Sequence, residues 1–240
     1  GDVPESMGPI FQQYFRNATH LVIEDPASGS TLLDIISVMS DKAYREYKIS
    51  RSKNPVVNSF WKEVAEKTGG EHSLANLVPY ITSKFDTFLS NEIMRPIIAQ
   101  EHSAFKMREV MDNQKILLVN LSKGRLGELN SALLGLVIVG KILMASFSRA
   151  DQPGETRKDF FLYMDEFHNF TTPSIATILS EARKYRLSLI MAHQFIGQLT
   201  DEIRKAVFGN AGTLVSFRIG REDTETIEKQ FEPVFSAHDL

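Results

Sequence analysis

The chain has no cysteine, which excludes disulfides, thiolate metal sites and a cysteine nucleophile, and suits a reducing compartment. Its six histidines are scattered without HxxxH or HExxH spacing, so a histidine metal centre has no support. Positive charge is not in excess: 27 Lys and Arg stand against 30 Asp and Glu, a net charge of −3. Any contact with a polyanion must therefore come from a local patch. The N-terminal GDVPESMGPIF lacks the basic and apolar regions of a signal peptide. The longest apolar run, ALLGLVIVGKILMASF at 132–147, is interrupted by Lys141 and falls short of the roughly 20 residues of a membrane span. It reads as a buried helix. No GxxxxGK[ST] phosphate loop occurs anywhere in the chain.

What is present is enough for one large domain or two small ones: 240 residues, 42% apolar and 24% charged. Up to about residue 110 the apolar positions recur at helical spacing, giving helices over 8–24, 31–49, 54–69, 73–90 and 92–99. Asn54 and Pro55 read as the start of the third. Pro79 and Pro96 read as kinks or breaks, and Trp61 as a packing anchor. From 115 onward short apolar runs alternate with helices. The expected strands are KILLVNL (115–121), DFFLYMD (159–165), LSLIMAH (187–193) and GTLVSFRI (212–219). Helices fall near 128–148, at 173–185 with Thr172 and Pro173 at its start, and at 201–208 ended by Gly209. This is an α/β pattern, a parallel sheet flanked by helices at 111–240 behind an all-helical 1–110.

Such sheets place their chemistry at the carboxyl ends of the strands. Asp165 and Glu166 end the second strand, His193 and Gln194 the third, and Arg218 and Arg221 lie at the end of the fourth. A carboxylate at a strand tip can hold Mg²⁺ through water, while a second beside it polarises a water for attack on a γ-phosphate. Adjacent residues point to opposite faces, so Asp165 would serve the metal and Glu166 the water. Gln194 is a neutral group able to sense a γ-phosphate. Arg183 in SEARKYR could reach a neighbouring subunit's site if the protein forms a ring. Each has a plainer reading: two acids after a strand can cap the next helix, a glutamine is an ordinary strand end, and arginines decorate solvated helix faces. Their joint occurrence at successive strand ends favours the chemical reading.

With these residues assembled, 115–240 resembles the ATPase core of type IV secretion coupling proteins, the TraG/TraD-like conjugative DNA-transfer motors of the FtsK/HerA superfamily. FFLYMDEFHNF resembles the Walker B strand, ILSEARKYRLSLIMAHQFIGQL the segment after it, and VFGNAGTLVSFRIGREDTE the next strand. In that family an arginine eleven residues before the motif glutamine acts as a finger, which is the spacing of Arg183 and Gln194. The resemblance implies a partial RecA-like P-loop NTPase core, ATP and Mg²⁺ as cofactors, and a hexameric DNA-translocating parent. It also implies relaxase and secretion-channel partners, and a place at the cytoplasmic face of the inner membrane. Residues 8–110 resemble the helical insert of these motors.

The departure is the missing phosphate loop. GLVIVGKI (135–142) has the glycine and lysine spacing but ends in isoleucine and lies in an apolar helix, where its N–H groups are already bonded. In LSKGRLGE (121–128), Lys123 precedes the glycines; it could contact a phosphate or a neighbour. The expectation is a piece of a motor with hydrolysis residues but without its phosphate cradle, inactive alone. The alternatives are a HerA-like DNA-processing ATPase and a non-catalytic oligomerisation or docking module. For DNA the local patch is DKAYREYKISRSK (41–53), where Lys42, Arg45 and Lys48 share a helix face. A solvated face over packed tyrosines is the plainer reading.

Overall fold

The computed structural model describes residues 8–65, 70–171, 179–236 and 239, with backbone alone for 70–73, 75 and 87. The chain divides into two compact units, Gly1–Ala104 and Phe105–Leu240. The boundary precedes residue 110 because Met107 and Met111 pack into the core of the second unit.

The first unit is helical among its described residues: α1 (Pro9–Glu24), α2 (Leu32–Ser40), α3 (Lys42–Arg51), α4 (Pro55–Ser59), α5 (Gly70–Leu89) and α6 (Met94–Ile98). The segment 31–49 is two helices rather than one. Asp41 interrupts it in extended conformation and accepts a hydrogen bond from Tyr44 N at 3.1 Å, starting α3. Asn54 Oδ1 likewise accepts from Val56 N and Val57 N, with Pro55 at the first helical position. After Ser59 the backbone continues as a π turn over Phe60–Ala65, and residues 66–69 lie outside the described set. Pro79 sits inside α5 without ending it. Trp61 is fully buried, edge-on to Tyr14 and Phe60.

The second unit contains α7 (Met107–Asp112), α8 (Lys123–Leu126), α9 (Glu128–Ser148), β1 (Phe160–Met164), β2 (Leu187–Met191), α10 (Asp201–Asn210) and α11 (Arg221–Phe231). β1 and β2 are parallel, with Phe160 opposite Leu187 and Met164 opposite Met191. Period-two alternation turns Met164 and Leu187 into the core with Val139, Ile142 and Leu143 of α9. Phe161, Tyr163 and Ile190 stay on the exposed face. By length and composition Glu128–Asp151 could cross a membrane; here α9 buries one side in this core. GLVIVGKI lies wholly within α9.

The four-strand expectation is corrected. Among the described residues the sheet has two strands, and 115–121 and 212–219 run without a ladder. Ile116 is 88% exposed, Leu118 89% and Phe217 87%. A short apolar run suits a strand, but only a hydrogen-bonded neighbour makes one. Of the expected helix at 173–185, its start at Thr172 and residues 173–178 lie outside the described set, 179–181 are helical, and Ala182–Tyr185 is a 3-10 turn. α10 runs through Gly209 to Asn210.

The amino edge of the sheet is tied down by Arg149, which is fully buried. Its Nε pairs with Asp112 at 2.9 Å, and Nη1 donates to the carbonyls of Lys158 (2.9 Å) and Tyr185 (3.1 Å) just before each strand. Arg108 adds ion pairs to Asp112 and Asp151.

Candidate functional site at the carboxyl edge

At the other edge the ladder closes around two residues. Ala192 N donates to Met164 O at 2.9 Å, and Phe167 N donates to Ala192 O at 3.0 Å. Asp165 and Glu166 lie between these two bonds and are pushed out of the sheet. Glu166 adopts the left-handed conformation, φ 50° and ψ 45°, which costs a non-glycine residue ~1 kcal/mol. Asp165 Oδ1 accepts from Glu166 N at 3.0 Å. Phe167 then returns to the core, 1% exposed.

Glu166 Oε1 accepts a hydrogen bond from Gln194 Nε2. Its other oxygen lies 3.5 Å from His168 Nδ1. His193, beside Gln194, stands edge-on to Phe167. Burial pushes the His193 imidazole below its ordinary pKa, and the Asp223 carboxylate pulls it back only in part. Asp223 itself accepts from Ile196 N at 3.1 Å. A cavity of about 390 Å³ opens beside this edge, lined by His193, Gln194, Phe208, Leu214, Arg218 and Asp223 among others. Arg221 begins α11.

The structure therefore brings Asp165, Glu166 and Gln194 together at one edge. It does not bring Arg183 to them: Arg183 is exposed in the turn before β2, at the opposite end of the strand. Asp165 is exposed, and one or two carboxylates with substrate phosphates suffice for Mg²⁺. A self-sufficient metal site is another matter. Among the described residues no group of three His, Asp or Glu side chains could hold an ion.

Two residues that the strand-end rule does not single out complete the edge. Asn169 Nδ2 donates to Glu166 O at 3.0 Å, and its Oδ1 accepts from Lys123 Nζ at 3.0 Å. The lysine of LSKGRLGE thus reaches a neighbouring side chain. Its only sequence signal is its place between a strand-like run and a helix, and Asn169 carries none.

The helix face read as basic is corrected. Lys42 is exposed, but Arg45 is 1% and Lys48 0% exposed. Arg45 Nη1 donates to Val38 O (3.1 Å) and Met39 O (3.2 Å), with its guanidinium carbon 5.8 Å from the Trp61 ring centroid. Lys48 Nζ donates to Asp25 O and Gly29 O, both at 2.8 Å. These two cations satisfy carbonyls at the end of α2, at the end of α1 and after the turn that follows it and present no charge for a phosphate backbone.

No curated protein matches the chain, and no solved structure matches it. Residues 159–229 match the family model described as the TraM recognition site of TraD and TraG, a stretch that spans β1 and Asp165, Glu166 and Gln194, and the match supports the resemblance to conjugative coupling proteins there.

Proposed function

We propose that this chain works in conjugative DNA transfer as part of a coupling protein, and that its carboxyl edge is the hydrolytic half of an ATP site in a RecA-like motor. The observation that carries this reading is the Glu166–Gln194 hydrogen bond across the ends of two parallel strands, inside the stretch that matches the coupling-protein family model. In this reading Glu166 orients a water and takes its proton, and Gln194 holds the carboxylate in place until a γ-phosphate competes for its amide. Asp165 would hold Mg²⁺ through water; bound Mg²⁺ would neutralise the phosphate charge. Arg183, at the far end of β2, is the residue for a neighbouring subunit's site in a ring. The phosphate loop has no counterpart in these 240 residues. Assembly at the cytoplasmic membrane face with DNA, relaxase and channel components belongs to the same proposal.

The test is ATP hydrolysis, with and without DNA, by a chain carrying this sequence behind a phosphate loop, compared with its Glu166→Gln variant. DNA-stimulated turnover that the substitution abolishes supports the motor. Equal turnover in both removes Glu166 from the chemistry. The family match favours a second reading, a docking surface for a TraM-like relaxosome protein at 159–229. Titration calorimetry of the 240-residue chain against purified TraM decides it, and no heat of binding rejects it.

A further inference from the structure

We infer that Lys123 and Asn169 are positioning residues that hold Glu166 in its left-handed conformation and so aim its carboxylate at Gln194. The inference rests on the reading of Glu166 as the hydrolytic carboxylate, and names what sets its geometry.

The Glu166 carbonyl accepts two hydrogen bonds from Asn169, one from the backbone N–H and one from the side-chain Nδ2, each at 3.0 Å. Two donors on one carbonyl fix the peptide plane after Glu166, and with it ψ. The side-chain donation depends on which way the Asn169 amide faces. Lys123 decides that: its ammonium donates to Asn169 Oδ1 at 3.0 Å. The reversed amide would set its NH₂ against the ammonium and its oxygen against the Glu166 carbonyl, two repulsions in place of two bonds. Lys123 also pairs with Glu128, at 3.4 Å and 80% exposed, a surface contact of small worth.

Lys123 can do this because its loop is anchored. Gly127 N donates to Lys123 O at 2.9 Å, and Ser131 Oγ donates to Leu121 O at 2.7 Å. Asn130 Nδ2 donates to Leu126 O at 2.8 Å. Gly127, at φ 77°, supplies the left-handed turn from α8 into α9. α9 in turn packs against the 167–170 turn, where Gly135 meets the ring of Phe170. The 121–127 loop and the turn carrying Glu166 are therefore fixed to the same helix, and the Lys123–Asn169 bond joins them at the edge.

The test has two arms. In the first, the 240-residue chain is labelled with ¹⁵N and the shift difference between the two Gln194 Nε2 protons is measured in wild type, Lys123→Met, Lys123→Arg and Asn169→Asp. Asn169→Asp keeps an acceptor for Lys123 and the backbone N–H, but has no side-chain N–H to give the Glu166 carbonyl. The expected result is a collapse of the shift difference in Lys123→Met and Asn169→Asp and its retention in Lys123→Arg, with unchanged far-UV circular dichroism in all. A Gln194 signal unchanged in Lys123→Met and Asn169→Asp overturns the inference. Loss of the fold in either variant overturns it too, because the two residues would then be structural supports. In the second arm, the same variants in the ATP-hydrolysing chain are expected to lose kcat by about a hundredfold with KM for ATP little changed. If wild type shows no turnover, the hydrolytic reading fails, while the Gln194 signal still decides this one.

Discussion

Glu166 and Gln194, 28 residues apart in sequence, are joined side chain to side chain where β1 and β2 end. Gln194 is exposed, so the bond contributes little to stability; a hydrogen bond there is worth about 1 kcal/mol or less. Gln194→Ala is therefore expected to leave the urea midpoint almost unmoved while lowering ATP turnover of the loop-containing chain by about a hundredfold. Unfolding curves and steady-state rates on the same preparations check both halves. A large stability loss with intact turnover would make the pair a structural clasp.

The buried cation at the other edge behaves in the opposite way. Arg149 is fully buried, and it holds Asp112 and two carbonyls that precede the strands. Arg149→Met takes the donor from one Asp112 oxygen and from both carbonyls, while Arg108 still pairs the other Asp112 oxygen, at an expected cost of about 1–3 kcal/mol. Urea denaturation of the second unit, followed by far-UV circular dichroism, measures it. A cost below about 1 kcal/mol, the worth of a surface pair, would show that solvent already reaches the site.

How far the sequence can be read depends on whether an interaction is local. The place of α9 near 128–148 comes from an apolar run interrupted at Lys141, and Asp165, Glu166 and Gln194 come from strand ends. These are near-neighbour patterns. Arg149 in SFSRAD gives no signal because its partners, Lys158 O and Tyr185 O, meet it only once β1 and β2 pair. The segments 115–121 and 212–219 mislead for the same reason, since an apolar run describes one strand and a ladder needs two.

Gly135 tests the packing of α9 against the turn that carries Glu166. A Cβ there would lie 2.1 Å from Phe170 Cδ1 and 2.3 Å from Cε1, and a ring cannot bend aside as a flexible chain end can. Gly135→Ala is expected to destabilise the second unit by about 1–3 kcal/mol despite alanine's better helix propensity. It should also shift the amide resonances of 167–170. Thermal melts and ¹H–¹⁵N spectra report both, and a stabilised variant with unmoved resonances would refute the contact.

His193 gives the second unit a pH dependence of defined sign. Burial lowers its pKa, so between that value and the unfolded pKa of about 6.5 the unfolded chain binds more protons. Its contribution to stability is full above about 6.5 and falls as pH drops toward the folded value. Of the charged groups around it, Asp223 and Glu166 oppose the shift and His168 adds to it. His193→Gln is expected to flatten the stability profile between about pH 5 and 7 relative to wild type. Urea unfolding at three pH values in that window measures it, and parallel profiles would assign the dependence elsewhere.

Arg45 and Lys48 separate stability from nucleic-acid binding in the helical unit. Burial pulls the Lys48 ammonium below its ordinary pKa, opposed by Asp25 and Asp34, and its hydrogen bonds go to the carbonyls of Asp25 and Gly29. Arg45 likewise serves Val38 and Met39 at the end of α2. Lys48→Met takes the donor from the Gly29 carbonyl, Asp25 O keeping Ser28, and Arg45→Met takes it from Val38 O and Met39 O, at about 1–3 kcal/mol each. Lys42→Glu, on the exposed side of α3, should change stability by no more than about 0.5 kcal/mol. Trp61 lies against Arg45, so its fluorescence during urea titration reads the costs directly. Any fall in DNA affinity measured by anisotropy should then follow the unfolded fraction for Arg45→Met and Lys48→Met. An Arg45→Met variant of wild-type stability that has lost DNA affinity would return this helix to the nucleic-acid interface.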